Sequence, residues 1–165
     1  MKIVFYGGQR VGMVVLLYLL AKQHEVVVVA VDSFVEGIAR LFGLKMISFD
    51  DIAGEHFNVL VCCHGRRMIP GMVLDFHVCI NIHPCLFKYK GADPIGRYME
   101  NKDTRGSVGC HFMTGEVDAG DVIHEVFFDT PVVASYCEFY NIALPFYVEC
   151  VHHSLDILGS EWGLI

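Results

Sequence analysis

The sequence has no run of lysine and arginine. Its 12 basic residues are outnumbered by 19 acidic ones, so the formal net charge is −7 and the pI about 5.6. A protein that neutralises a phosphate backbone needs a basic face, which disfavours a nucleic-acid partner, tRNA included. A CxxC pair is also missing, although seven cysteines are present. Their odd number and their place in apolar, strand-like runs point to free thiols in a reducing cytoplasm rather than to a disulfide framework. No apolar run reaches the about 20 residues that a membrane-spanning helix needs; the longest extends from Val11 to Ala21. The first residues enter a strand-like run without the basic start or cleavage site of a signal peptide, which again predicts a cytoplasmic protein. Charged residues make up only 19% of the chain against 54% hydrophobic ones, which excludes disorder. That apolar surplus, with the aromatic stretch Tyr136, Phe139, Tyr140, Phe146 and Tyr147, predicts a homodimer.

What is present reads as alternating strands and helices. Lys2–Tyr6 is β-type and ends at Gly7-Gly8. Val11–Lys22 is an apolar helix, and the valine-rich run from His24 to Val31 is a strand covered on both faces. Ser33 is a candidate N-cap for a helix that Gly43 stops after Phe42. Short strands follow at Met46–Ser48, Val59–Cys63 and Val78–His83, then a helix at Ile95–Asn101 and strands at Ser107–Met113 and Val122–Phe128. A final helix spans about residues 135–158, interrupted at Pro145, with a short tail over 159–165. This pattern predicts an α/β fold, Rossmann-like, with a mostly parallel twisted sheet and helices on both faces. No repeat, linker or low-complexity segment breaks it, so residues 1–165 are expected to form a single domain.

Ligands of such folds bind beyond the carboxyl ends of the strands. Asn81 and His83 stand at one such end; two apart on a strand, they point to the same face. An amide and an imidazole together form an oxyanion site with a proton carrier, or they simply satisfy loop backbone groups. Asp118, in the run Glu116–Asp121, is a carboxylate able to orient an imidazole, or an Asx turn before a strand. Gly7-Gly8-Gln9-Arg10-Val11-Gly12 is a helix N-terminus able to meet a phosphate, or a tight strand-to-helix turn; it departs from the GxGxxG pattern. Cys150, His152 and His153 lack a second ligand pair at suitable spacing, so no metal is expected. Cys85 is a small packing residue rather than a nucleophile, and the facing of His111 in its strand is open.

The run Cys79-Ile80-Asn81-Ile82-His83-Pro84, continued by Lys88–Ile95, closely resembles the folate-dependent formyltransferases, a family that includes the enzymes acting on glycinamide ribonucleotide, methionyl-tRNA and amino sugars. Gly115–Ile123 resembles the family's second signature at the usual distance, and Met68-Ile69-Pro70 its folate-contacting loop. The resemblance implies a Rossmann-like formyltransferase fold and 10-formyltetrahydrofolate as formyl donor. It gives Asn81, His83 and Asp118 catalytic roles: Asn81 and His83 at the formyl oxygen, Asp118 orienting His83 and helping to take the amine proton. It places Arg67, Met68, Ile69, Pro70, Gly115 and Asp121 at the donor and Gly8, Gln9, Arg10, Lys90 and Gly91 at the acceptor. The turn after the first strand differs from the phosphate loop of the glycinamide ribonucleotide enzymes, so a nucleotide-linked amino sugar is the expected acceptor. Glycinamide ribonucleotide, an aminoacyl group, or a non-catalytic folate-binding domain are the alternatives.

Overall fold

In the computed structural model, residues 1–163 are described; the last two residues of the expected tail lie outside them. Strand β1 (Lys2–Gly7) leads through helix α1 (Gln9–Ala21) to β2 (Glu25–Ala30), and helix α2 (Ser33–Leu41) leads to the short β3 (Lys45–Met46). A 3-10 turn over Phe49–Gly54 returns the chain to β4 (Val59–Cys63); α3 (Gly71–Phe76), β5 (Val78–Pro84) and α4 (Pro94–Glu100) follow. Strands β6 (Arg105–Phe112) and β7 (Val122–Asp129) precede the long helix α5 (Tyr136–Trp162). The strands form one sheet of order β3-β2-β1-β4-β5-β6-β7. Its β3-to-β5 portion is parallel, while β6 and β7 join antiparallel. The α/β class with a mostly parallel sheet is therefore the one expected from the sequence.

The β-branched runs explain why the sheet is buried on both faces. Along β1, Ile3 and Phe5 face the layer that holds Val11, Val15 and Leu16 of α1 and Tyr147 and Val151 of α5. Val4 and Tyr6 face the opposite layer, with Ile52 of the 3-10 turn and Val73 of α3. Neither the 3-10 turn nor α3 carries enough periodic sequence to stand out, and both were expected only as connections.

Several local expectations are corrected. Asp32, not Ser33, caps α2: its carboxylate accepts from Phe34 N and Val35 N. Pro145 does not interrupt α5, and the helix runs past Leu158 into the expected tail. A proline inside a helix costs about 3 kcal/mol. Burial of Phe139, Tyr147, Val151, Leu155 and Leu158 against the sheet outweighs that, at roughly 1.5–3 kcal/mol for each large side chain. The aromatic stretch that suggested a dimer face is largely used up in this packing. Phe139 and Tyr147 are fully buried, and Phe146 stacks on Phe128 at 4.3 Å.

Candidate active site

The chain moves outward from β1 to β3 on one side and returns to β4 on the other. The switch point therefore lies between β1 and β4, whose onward connections run to opposite sides. A cleft of about 730 Å³ opens there and extends along β5. Gln9 after β1, His64–Met68 after β4, Asn81–Pro84 of β5, Gly91–Ile95 before α4, and Thr114 with Glu116–Asp118 after β6 line it, with Tyr136 and Tyr140 of α5.

Asn81, His83 and Asp118 converge on the floor of this cleft. Asp118 Oδ2 lies 3.0 Å from His83 Nε2, and Asn81 Nδ2 donates to Asp118 Oδ1 at 3.4 Å. His83 Nε2 also donates to the Gly91 carbonyl at 3.4 Å. A proton on Nε2 thus sits between two acceptors, and Nδ1 is buried without a partner. The Gly91 amide donates to Asp118 Oδ2 at 2.7 Å; it reaches there because Gly91 adopts φ +83°, a left-handed conformation suited to glycine. Asp118 itself holds φ +50°, which aspartate tolerates better than most residues. Burial alone would raise the Asp118 carboxyl, but the hydrogen bonds from His111 and His83, the charge of His83 and the Gly91 amide hold it well below the usual carboxylate range.

His111 completes the cluster, and its side of the strand was not legible in the sequence. The register of β5 and β6 sets it directly opposite Asn81. Its Nδ1 donates to the Phe112 carbonyl at 2.8 Å, leaving Nε2 at 3.3 Å from both Asn81 Nδ2 and Asp118 Oδ1. The irregularity in the β6–β7 ladder at Cys110/His111 falls at this point, as bulges beside sites commonly do. The loop bearing Asp118 closes at its base through Phe112 N donating to the Asp121 carbonyl at 3.0 Å. Gly120 permits that approach, because a Cβ there would overlap the Phe112 carbonyl oxygen.

His64, just after β4, lines the cleft, and the sequence assigns it no role. It follows β4 with φ +60°, and its Nε2 lies 3.0 Å from the hydroxyl of Tyr147. Burial, and then the charge of His83, lower its pKa to about 4, so it is neutral at physiological pH. Four of the non-glycine residues with positive φ — Gln9, His64, Asp93 and Asp118 — line this one cleft. Such strain gathers at functional sites.

Among the other expected residues, Arg67, Met68, Gln9 and Gly91 line the cleft. Arg67 lies over the Phe49 ring at 4.1 Å and pairs with Asp50 at 2.7 Å. Its loop is pinned by the Tyr6 hydroxyl, which accepts from Arg66 N and Arg67 N, each at 2.7 Å. Ile69 is instead a core residue, and Pro70 begins α3 as its N-cap, outside the cleft lining. Gly115, Asp121, Gly8, Arg10 and Lys90 also stand outside the lining. Arg10 points its guanidinium at Cys137 Sγ, 3.8 Å away, and the Lys90 carbonyl accepts from Arg97. Among the described residues, no three His, Cys, Asp or Glu side chains are grouped as metal ligands.

Fold and site together define an α/β protein with an amide, imidazoles and a carboxylate gathered in a ligand cleft at the switch point. The formyl transferase family model matches residues 48–136, more than half of the chain and a span that contains Asn81, His83 and Asp118. The chain belongs to the formyl transferase family. It is 28% identical over 147 residues to the methionyl-tRNA formyltransferase of Thermotoga neapolitana, a match covering 74% of this chain and 47% of that protein. With the methionyl-tRNA formyltransferase of Chromohalobacter salexigens it shares 27% identity over 188 residues, covering 98% of this chain and 57% of that protein. The chain thus spans about half the length of these curated relatives. Its fold is that of the N-formyltransferase from Helicobacter canadensis, solved in complex with folinic acid and dTDP-3-aminofucose. The TM-score is 0.78 at 18% identity, over 94% of this chain and 64% of that one.

Proposed function

We propose that residues 1–165 act as one catalytic domain that moves a formyl group from 10-formyltetrahydrofolate to a primary amine of a small molecule, the amine of a nucleotide-linked amino sugar. The convergence of Asn81, His83 and Asp118 in one cleft carries this reading. Membership of the formyl transferase family supports the reaction, and the dTDP-3-aminofucose in the Helicobacter canadensis protein supports the acceptor class. The cleft also suits a folate in size and lining. Its volume falls within the range of about 300–1,000 Å³ typical of small-molecule sites. Met68, Met113 and Val117 give it apolar surface for a pterin, and the polar backbone of the loops after β4 and β6 borders it.

The donor, when bound, supplies an electrophilic formyl carbon attached to a nitrogen leaving group. Asn81 Nδ2 donates only in a long contact, 3.4 Å to Asp118 Oδ1, so it can turn a hydrogen toward an oxygen on which negative charge develops. One such donor is worth about 3 kcal/mol in the transition state. His83 keeps a proton on Nε2 between Asp118 and Gly91, positioned to pass it within the cleft. The reaction needs one proton taken from the amine and one delivered to the leaving nitrogen, and His83 is the proton carrier beside that path. Asp118, whose carboxyl stays ionised, fixes the imidazole rather than storing the proton itself.

A spectrophotometric assay of tetrahydrofolate release tests the reading, using 10-formyltetrahydrofolate with a panel of amines that includes dTDP-linked amino sugars and glycinamide ribonucleotide. Release with an amino sugar is expected. Tight folate binding without release on any amine refutes the transferase and favours a folate-binding module. The same reading includes a homodimer, supported by the exposed Leu41, Phe42 and Phe76. It also includes a reducing cytoplasm, supported by free thiols that are buried at every cysteine but Cys137.

A further inference from the structure

The glycine turn after β1 has no part in the chemistry proposed above, yet it opens onto the same cleft through Gln9. A helix N-terminus behind such a turn is ordinarily a place for a phosphate, because its unpaired amides and dipole favour an anion. Here a carboxylate of the protein already holds that place. Asp32 Oδ2 accepts from Gln9 N at 2.6 Å, while Oδ1 accepts from Phe34 N at 3.0 Å and Val35 N at 3.4 Å. One side chain therefore caps α1 and α2 together. The Gly8 amide is also taken, donating to the Cys63 carbonyl at 3.1 Å. The carboxylate packs so closely on Gly8 that a Cβ there would lie 2.7 Å from Oδ2.

Tyr136, Asp93, His64 and Tyr140 of the same cleft add one carboxylate and no cation. Tyr136 donates its hydroxyl hydrogen to Asp93 Oδ1 at 2.7 Å, and the His64 ring stands edge-on to Tyr140 at 5.5 Å. None of these carries a positive charge at neutral pH. Arg10, the nearest cation in sequence, is turned to Cys137 and is not part of the lining. The arginines that do line the cleft, Arg66 and Arg67, belong to the loop after β4, and Arg67 is already paired with Asp50.

We infer that Asp32 is a specificity-determining residue: its carboxylate closes the glycine turn to phosphate and carboxylate groups, so the cleft takes acceptors whose part facing α1 is uncharged or cationic. For a nucleotide-linked amino sugar, the amine-bearing sugar faces α1 and the diphosphate lies away from it. The description of the ligand as an acceptor rests on the proposed formyl transfer; the exclusion of anions does not.

Inorganic phosphate is the probe, titrated calorimetrically into the wild-type chain and into Asp32→Ser and Asp32→Asn. Serine and asparagine both remain good N-caps for α2, so the fold is retained, and unchanged circular dichroism verifies this. The wild type is expected to show no saturable phosphate binding at millimolar concentrations. Asp32→Ser, which removes the charge and opens space at Gln9 N, is expected to bind phosphate at least about tenfold more tightly, and Asp32→Asn to fall between. Saturable phosphate binding by the wild type, with amide shifts at Gln9 and Arg10, overturns the inference. So does phosphate binding by both variants no tighter than wild type, since Asp32 would then not be what closes the turn. The titration needs no turnover, so a failure of formyl transfer refutes the proposed reaction while leaving this result to stand or fall by itself.

Discussion

Replacing His64 by asparagine should remove much of this protein's sensitivity to mild acid. The imidazole stands half-buried on the cleft wall against Tyr140 and Tyr147, and burial followed by the charge of His83 lowers its pKa from 6.5 to about 4. The unfolded chain takes up a proton at this histidine near its ordinary pKa, whereas the native protein does so only near pH 4. Between those values the unfolded state binds more protons, so stability is complete above the unfolded pKa and falls as pH drops toward the native one. At about 1.4 kcal/mol per pH unit, the loss relative to pH 7 is about 2 kcal/mol at pH 5 and about 3 kcal/mol at pH 4. Asparagine does not titrate, and it tolerates the left-handed backbone that His64 adopts. Urea unfolding of both proteins from neutral pH down to about 4 measures the effect. The difference between the two curves cancels the carboxylates they share, Asp118 included. Curves that run parallel across this range would refute the half-buried, neutral histidine.

The remaining predictions concern the cleft and its supports. Asn81→Ala and His83→Ala should each lower turnover about a hundredfold or more while leaving unfolding cooperative; near-wild-type tetrahydrofolate release by either variant contradicts its role. Tyr6→Phe removes the acceptor that pins Arg66 N and Arg67 N. With about 1 kcal/mol of net stabilisation lost, KM for the formyl donor should rise about fivefold with kcat little changed, and an unaltered KM would separate this loop from the donor. Light scattering should give a dimeric mass that becomes monomeric when Leu41 and Phe42 are both changed to serine; a monomeric wild type at micromolar concentration argues against the dimer.

The sequence revealed most of the sheet because β-branched runs such as Val26–Val29 and Val59–Val61 fit little else than a strand covered on both faces. It also revealed the pair Asn81 and His83, since alternation along a strand fixes which residues share a face. It failed where local signals are weak or are overridden. The helix cap moved from Ser33 to Asp32, whose carboxylate reaches Phe34 N and Val35 N of its own helix and Gln9 N of another. Pro145 reads as a break, yet α5 continues because its apolar face is buried along its length. The roles expected for Ile69 and Pro70 rest on resemblance; in the structure one is a core residue and the other starts a helix too short to show in the sequence.

By itself, then, the sequence determined the order of strands and helices, the acidic net charge and the chemical types available for a site, because these follow from periodicity, composition and residue identity. Only the tertiary structure decided that Asp118 meets His83, that His111 stands across from Asn81, and that Asp32 occupies the turn after β1. Those contacts join residues 35, 30 and 23 positions apart, His83 with Asp118, Asn81 with His111 and Gln9 with Asp32. Strand register and loop closure set such distances, and neither is written in any short stretch of the chain.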